Sequence, residues 1–266
     1  MSPFKSKRIL LLASLLASVT PAAASAAPAA APIKNIVLVH GAWVDASGWK
    51  PVYDILTRDG FHVTMVQQPL TSLAADVAAT KQVLAEQDGP TVLVAHSYGG
   101  SIITEAGEDP HVAALVYVAA HAPDVGEDEA DLGKKMPSFT QQQPGAVVKS
   151  ADGFTHLRPD LFPADFAADL PLDQAQFEAQ SQVPTAAGVF SAPMTAAAWK
   201  TKPSWGIVAA ADKIINPDLE RFYYERAHSH VTVLQGASHS VYESRPQEVA
   251  AVIEQAARSA MTVAAR

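Results

Sequence analysis

Residues 91–100 read TVLVAHSYGG. An apolar run leads into His96 and Ser97, and two glycines follow almost at once. Strands covered on both faces are nearly continuously apolar, so this run reads as a buried strand. The glycine pair marks a sharp turn, with a helix beginning just after Ser97. Such a turn drives its central residue into a strained backbone conformation and accepts only small neighbours. Ala95 and Gly99 hold the two flanking small positions, and Gly100 lets the helix approach the sheet. The Ser97 hydroxyl is then expected at the strand's carboxyl end, beside the N–H groups and positive dipole end of the helix.

Similar runs recur along the chain. IVLVH (36–40), FHVTMVQ (61–67), AALVYVAA (113–120), WGIVAA (205–210) and HVTVLQG (230–236) read as strands, alternating with helical patterns at 48–60, 72–87, 99–108, 216–227 and 245–260. Ser72 suits an N-cap and Pro246 a first helical turn, while Val249, Val252, Ile253 and Ala256 form one apolar stripe. This alternation predicts an α/β fold with a mostly parallel, doubly wound sheet and helices on both faces. Residues 121–203 interrupt it, being rich in Pro, Gln, Asp and Ala with no convincing strand. They are expected to form a helical cap inserted after the strand at 113–120, with short helices around 127–135, 161–169, 173–180 and 194–200.

The amino terminus is different in kind. Lys5, Lys7 and Arg8 precede an apolar run at 9–19, followed by small residues that include Ala24-Ser25-Ala26. Basic, apolar, then small is the order of a secretory signal peptide. Residues 1–26 are therefore expected to be a signal peptide, 27–32 an Ala/Pro-rich linker, and 33–266 the folded domain of a periplasmic or extracellular protein. The apolar run falls short of the ~20 residues of a transmembrane helix, so no stable membrane insertion is expected after cleavage. The chain has no cysteine, so a large core must hold it together without disulfides. Its formal net charge of −8 becomes more negative once the three basic leader residues are gone. Such a surface repels phosphate backbones and argues against a nucleic-acid partner. A monomer or homodimer is expected.

A serine nucleophile needs a base, and the base an orienting carboxylate. Asp212 lies just past the strand at 205–210, and His239 lies in the loop after 230–236. Serine, acid and histidine thus follow in that chain order, each just past the end of an expected strand. Read singly, Asp212 could be a turn residue and His239 a loop histidine; Asp124, in HAPD after the fourth strand, is a rival acid. An oxyanion hole needs two N–H donors. The backbone N–H of Tyr98 and that of Ala42, in VLVHGAW (37–43), are the candidates, Gly41 allowing the tight turn. Trp43, His121, Phe139, Phe166 and Phe190 are candidate pocket residues, with Met136 and Trp199 as further apolar candidates, and His96 is expected to pack behind the nucleophile. His228 and His230 form an H-x-H with no evident third ligand, so no metal site is expected.

Over 33–262 the sequence resembles the α/β-hydrolase superfamily, on VLVHGAWVDASGW, VLVAHSYGG, LVYVAAHAPD, ADKIINP and GASHSVYESRPQEVA. It looks closest to the small cap-bearing serine esterases that include plant methylesterases and hydroxynitrile lyases. The resemblance implies a Ser97–His239–Asp212 triad, oxyanion donors Ala42 and Tyr98, no cofactor, and a small, fairly apolar ester as substrate. Ala95 departs from the family's usual G-x-S-x-G by one methyl. The lyases of this group carry a polar residue at the position of Gly41 and a lysine after the catalytic histidine; Ser240 stands there here, which favours an esterase. Lactonase, perhydrolase or hydroxynitrile-lyase chemistry on the same triad, and a non-catalytic ligand-binding role, are the alternatives.

Overall fold

A computed structural model describes residues 33–264, together with Met1. The expected leader and linker otherwise lie outside the described residues. Six strands form one parallel sheet: β1 (Asn35–Val39), β2 (His62–Val66), β3 (Thr91–Ser97), β4 (Val112–Ala120), β8 (Ser204–Ala209) and β9 (His230–Leu234), in the order β2-β1-β3-β4-β8-β9. The central strands are buried throughout, and their side chains alternate between two cores. Val37, Val39, Leu93 and Ala95 enter one core; Ile36, Leu38, Val92 and Val94 enter the other. That two-sided burial is why these strands read as unbroken apolar runs.

The second core is closed by α1 (Lys50–Arg58) and α9 (Pro246–Ala264), whose Val249, Ile253 and Ala256 are fully buried, and by Trp49. The first is covered by α2 (Leu73–Ala85), α3 (Gly99–Ala106) and α7 (Pro217–Arg226). Ser72 caps α2, its hydroxyl accepting the Ala75 N–H at 3.2 Å, as its place before the helical pattern predicts. All six expected main-sheet strands and all five expected flanking helices are present, with ends shifted by a few residues.

The excursion at 121–203 holds α4 (Glu129–Lys135), α5 (Phe162–Asp165) and α6 (Leu172–Gln180). It also contains what its composition hid: an antiparallel sheet of β5 (Val147–Lys149), β6 (Phe154–Leu157) and β7 (Thr185–Ala186). The expectation of no strand here is corrected. These strands are two to four residues long, too short for an alternating pattern to register. The turn between β5 and β6 carries Asp152-Gly153, with Gly153 at φ +91°, a hairpin signal that the surrounding polar residues obscure. The segment around 194–200 reduces to a single 3₁₀ turn at Ala198–Lys200.

The excursion is tied to the main domain through α8 (Val241–Ser244). Gln174 of α6 donates both to Glu178 (2.9 Å) and to Glu243 of α8 (3.1 Å). Burial, then the neighbouring Glu178, pushes the Glu243 carboxyl up to about 8. Burial likewise raises Glu129 to about 8, while burial lowers His40 to about 4 and His121 to about 3.

These shifts set a stability profile. From pH 6.5 to 8 the folded chain holds protons on Glu243 and Glu129 that the unfolded chain has lost, so stability falls as pH rises. From pH 6.5 down to 4 the unfolded chain takes up histidine protons that the folded one refuses, which opposes the carboxyl gain. The midpoint of thermal unfolding should therefore be lower at pH 8 than at pH 6.5, and Glu243→Gln should flatten that limb. A midpoint that climbs between these two values would contradict the assignment. A second expectation concerns α3: a Cβ on Gly100 would strike the His121 carbonyl. Gly100→Ala should cost about 1–3 kcal/mol or more, read in urea unfolding.

Candidate active site

The parallel sheet delivers every strand's carboxyl end to one edge, and the candidate residues gather there. Ser97 closes β3 with φ +55°, a left-handed conformation unusual for a residue with a side chain. The predicted strain is present. His121 N–H, just past β4, donates to the Ser97 carbonyl at 3.2 Å and braces it. Gly41, in the loop after β1, leaves room for the serine, since a Cβ there would lie 2.7 Å from Ser97 Cβ. The extra methyl of Ala95 is accommodated because Gly99 faces it: a Cβ on Gly99 would lie 3.3 Å from Ala95 Cβ and 2.6 Å from the His40 carbonyl.

Ser97, His239 and Asp212 form a hydrogen-bonded line. His239 Nε2 lies 2.9 Å from Ser97 Oγ, and His239 Nδ1 lies 2.5 Å from Asp212 Oδ2. The other Asp212 oxygen accepts the N–H groups of Ile214 (2.7 Å) and Ile215 (2.9 Å), so the turn after β8 holds the carboxylate in place. The rival Asp124 is engaged elsewhere, paired with Lys200 at 2.5 Å.

The His239 ring is clamped on both sides. Phe166 meets it edge-on at 4.6 Å, and His96 lies 4.5 Å away. His96 Nε2 is 2.9 Å from the His239 carbonyl oxygen. Burial, reinforced by His239, lowers His96 well below the usual histidine range, so it is neutral and donates that bond as a positioning group. His96 therefore packs behind Ser97, against His239, in the structural place its sequence position predicts.

A cavity of about 220 Å³ opens at Ser97, with Ala42 and Tyr98 also in its wall. Trp43, His121 and Phe190 line it, as predicted. Phe166 and Phe139 do not, and both expectations are corrected. Phe166 is drawn under the His239 loop, where its carbonyl accepts from Ser240 N–H (3.0 Å) and its ring packs on the histidine. Phe139 turns outward, 55% exposed, with the Lys213 ammonium 5.1 Å from its ring centre. His230 stacks on Trp205 at 5.0 Å, and no cluster of metal-binding side chains occurs among the described residues.

Three buried carboxyls around the site carry no sequence signal. Glu129 lines the cavity from a run of acids that reads as a solvated helix start. Glu220, on α7, accepts the Ala209 N–H at 3.0 Å; burial, then the charge of Asp212, pushes its carboxyl well above the usual range. Asp76, on α2, accepts from the Tyr98 hydroxyl (2.7 Å) and from Leu70 N–H (2.8 Å), and burial raises its carboxyl too. It anchors the side chain of the residue that follows Ser97.

The sequence model of the alpha/beta hydrolase family matches residues 36–252. A probable hydrolase, R7, from Phoma sp. is 25% identical over 246 residues, covering 84% of this chain and 97% of its own length. A carbendazim hydrolyzing esterase from Nocardioides sp. is 29% identical over 124 residues, covering 41% of this chain and 51% of that protein. The fold is similar to that of polyneuridine aldehyde esterase, with TM-score 0.71 and 17% identity over 84% of this chain and 98% of that structure.

Asp76→Ala strips two buried donors of their acceptor and should cost about 2–3 kcal/mol of stability. Asp76→Asn, which keeps an acceptor oxygen, should cost less. Equal losses in urea unfolding would show that these bonds do not account for the effect.

Proposed function

We propose that this chain, which belongs to the α/β-hydrolase family, is an exported serine esterase that cleaves a small, fairly apolar carboxylic ester through an acyl-enzyme. The observation that carries the reading is the hydrogen-bonded line that runs from Ser97 Oγ, in the wall of a cavity, through the buried His239 ring to Asp212. The hydrolase and esterase relatives support ester cleavage. The basic, apolar and small-residue leader supports export.

In this mechanism Ser97 Oγ attacks the ester carbonyl while His239 Nε2, 2.9 Å away, takes its proton. Asp212 Oδ2 accepts the Nδ1–H, which fixes the tautomer and stabilises the imidazolium. The carbonyl oxygen gains negative charge as the tetrahedral intermediate forms, and the N–H groups of Ala42 and Tyr98 are the donors proposed to meet it. One such donor is typically worth on the order of 10²–10³ in rate. His239 returns the proton to the leaving alcohol. Water then attacks the acyl-serine, with His239 again the base, and the acid departs. Ser240 offers no cation beside His239 to hold a released cyanide, which weighs against lyase chemistry.

The test is hydrolysis of a p-nitrophenyl ester series from acetate to laurate. A short or medium chain should be the best substrate, given a cavity of about 220 Å³. Ser97→Ala should abolish turnover, and Asp212→Asn should lower kcat about 10⁴-fold by leaving the histidine in the wrong tautomer. Full activity in Ser97→Ala would refute the mechanism. Amino-terminal sequencing of protein recovered from periplasm or medium tests export: a start between residues 23 and 31 is expected, and an intact Met1 would refute it.

A further inference from the structure

The mechanism leaves the one carboxyl of the cavity lining, among the described residues, without a role. Glu129, first residue of α4, is only 5% exposed and turns into the cavity that holds Ser97. Its Oε1 accepts from Ser101 Oγ at 2.5 Å, and its Oε2 lies 3.4 Å from His121 Nε2. Ser101 lies in the first turn of α3, the helix that begins two residues after Ser97, and Glu129 and Ser97 line the same cavity. His121, its other neighbour, donates its backbone N–H to the Ser97 carbonyl. Glu129 is thus tied to the helix that follows Ser97 and to the histidine that braces its carbonyl.

The cavity around it is aromatic and lacks a cation. The Phe190 ring lies 5.9 Å from both the Trp43 and the Tyr98 rings. Among the described residues, neither lysine nor arginine lines the cavity. The groups facing Glu129 are Ser101 on α3, His121 after β4 and its own neighbour Asp128, with Tyr223 of α7 behind His121 at 3.1 Å from Nδ1. None of these supplies positive charge, since burial keeps His121 neutral. A buried carboxyl beside aromatic faces, with no protein cation to match it, is chemically complementary to an organic ammonium ion. The carboxylate supplies the ion pair, and the ring faces supply cation–π attraction.

We propose that Glu129, with Trp43 and Phe190, forms an ammonium subsite, so that the preferred substrates are esters bearing a protonated amine that reaches Glu129 within the cavity that holds the scissile carbonyl. The substrate class rests on the esterase reading; the binding of the amine does not. Burial holds the Glu129 carboxyl up at about 8, so the empty site keeps its proton at pH 7. An arriving ammonium displaces that proton, and amine binding strengthens as pH rises toward 8.

The test separates binding from turnover. Calorimetry on the full chain carrying Ser97→Ala compares 2-phenylethylamine with 2-phenylethanol, of nearly equal size, at pH 7 in two buffers of different ionisation enthalpy. The amine should bind at least about tenfold more tightly than the alcohol, with about one proton released. Glu129→Gln in the same background should bring the two affinities within about twofold of each other. Should that variant fail to fold, Phe190→Leu serves in its place, and the amine should lose several-fold more affinity than the alcohol. Equal affinity for amine and alcohol, or an amine preference that survives these substitutions, overturns the proposal. Ester turnover by the unsubstituted protein is read apart from this. Amine selectivity without esterase activity would sink the esterase reading and leave the subsite standing; activity without selectivity would do the reverse.

Discussion

Ser97 is held at φ +55° at the end of β3, and the surrounding architecture follows from keeping it there. A non-glycine residue in that region costs on the order of 1–3 kcal/mol and persists only where its neighbours over-determine it. Here β1 and β4 flank β3 in the sheet, so the loops after both strands press on the serine from either side. The β1 loop brings Gly41 against the serine Cβ, and the β4 loop brings the His121 N–H to its carbonyl. The next strands outward, β8 and β9, carry Asp212 and His239 just past their carboxyl ends. Five loops that are distant in sequence therefore meet because strand order places them side by side.

Burial is the second organising force. Around the serine it removes charge rather than adding it: His40, His96 and His121 are all pushed down into the neutral form, and Glu129 and Glu220 are pushed up. The consequence is a centre in which few charged groups surround the Ser97–His239 hydrogen bond. The polar atoms that remain are spent on holding position. His96 holds the His239 carbonyl, Ile214 and Ile215 hold Asp212, and Asp76 holds Tyr98.

What the sequence discloses follows the length of the pattern involved. The six sheet strands and the long helices were legible because burial on two faces, or on one helical stripe, repeats over many residues. Ser97, Asp212 and His239 were legible because each sits just where a recognisable strand ends. Within 121–203 that logic fails. Strands of two to four residues hold no period, and side-chain direction there is set by distant contacts. Phe139 and Phe166 are equally apolar, yet one meets Lys213 at the surface and the other packs beneath His239. In the acidic run at 127–131, Asp128 caps α4 by accepting the Asp131 N–H while Glu129 beside it turns inward. Local sequence does not distinguish two adjacent acids whose environments are decided by α3 and the β4 loop.

Trp43 joins two parts of the molecule that are usually thought of separately. It follows Ala42 directly, adopts φ +66°, and gives its backbone N–H to the Thr185 hydroxyl (3.0 Å) and its indole N–H to the Thr155 hydroxyl (3.2 Å). Its carbonyl accepts from Val183 N–H at 2.9 Å. All three partners belong to the excursion at 121–203, so the loop beside Ser97 is sewn to the very segment that roofs the cavity. The roof is for that reason not a modular part. A graft that exchanged it for the roof of a relative, in order to admit a different ligand, would also release the backbone next to Ala42. Selectivity and reactivity in this protein would then drift together, and a designer or a lineage altering one would have to rebuild Thr155, Val183 and Thr185 to keep the other.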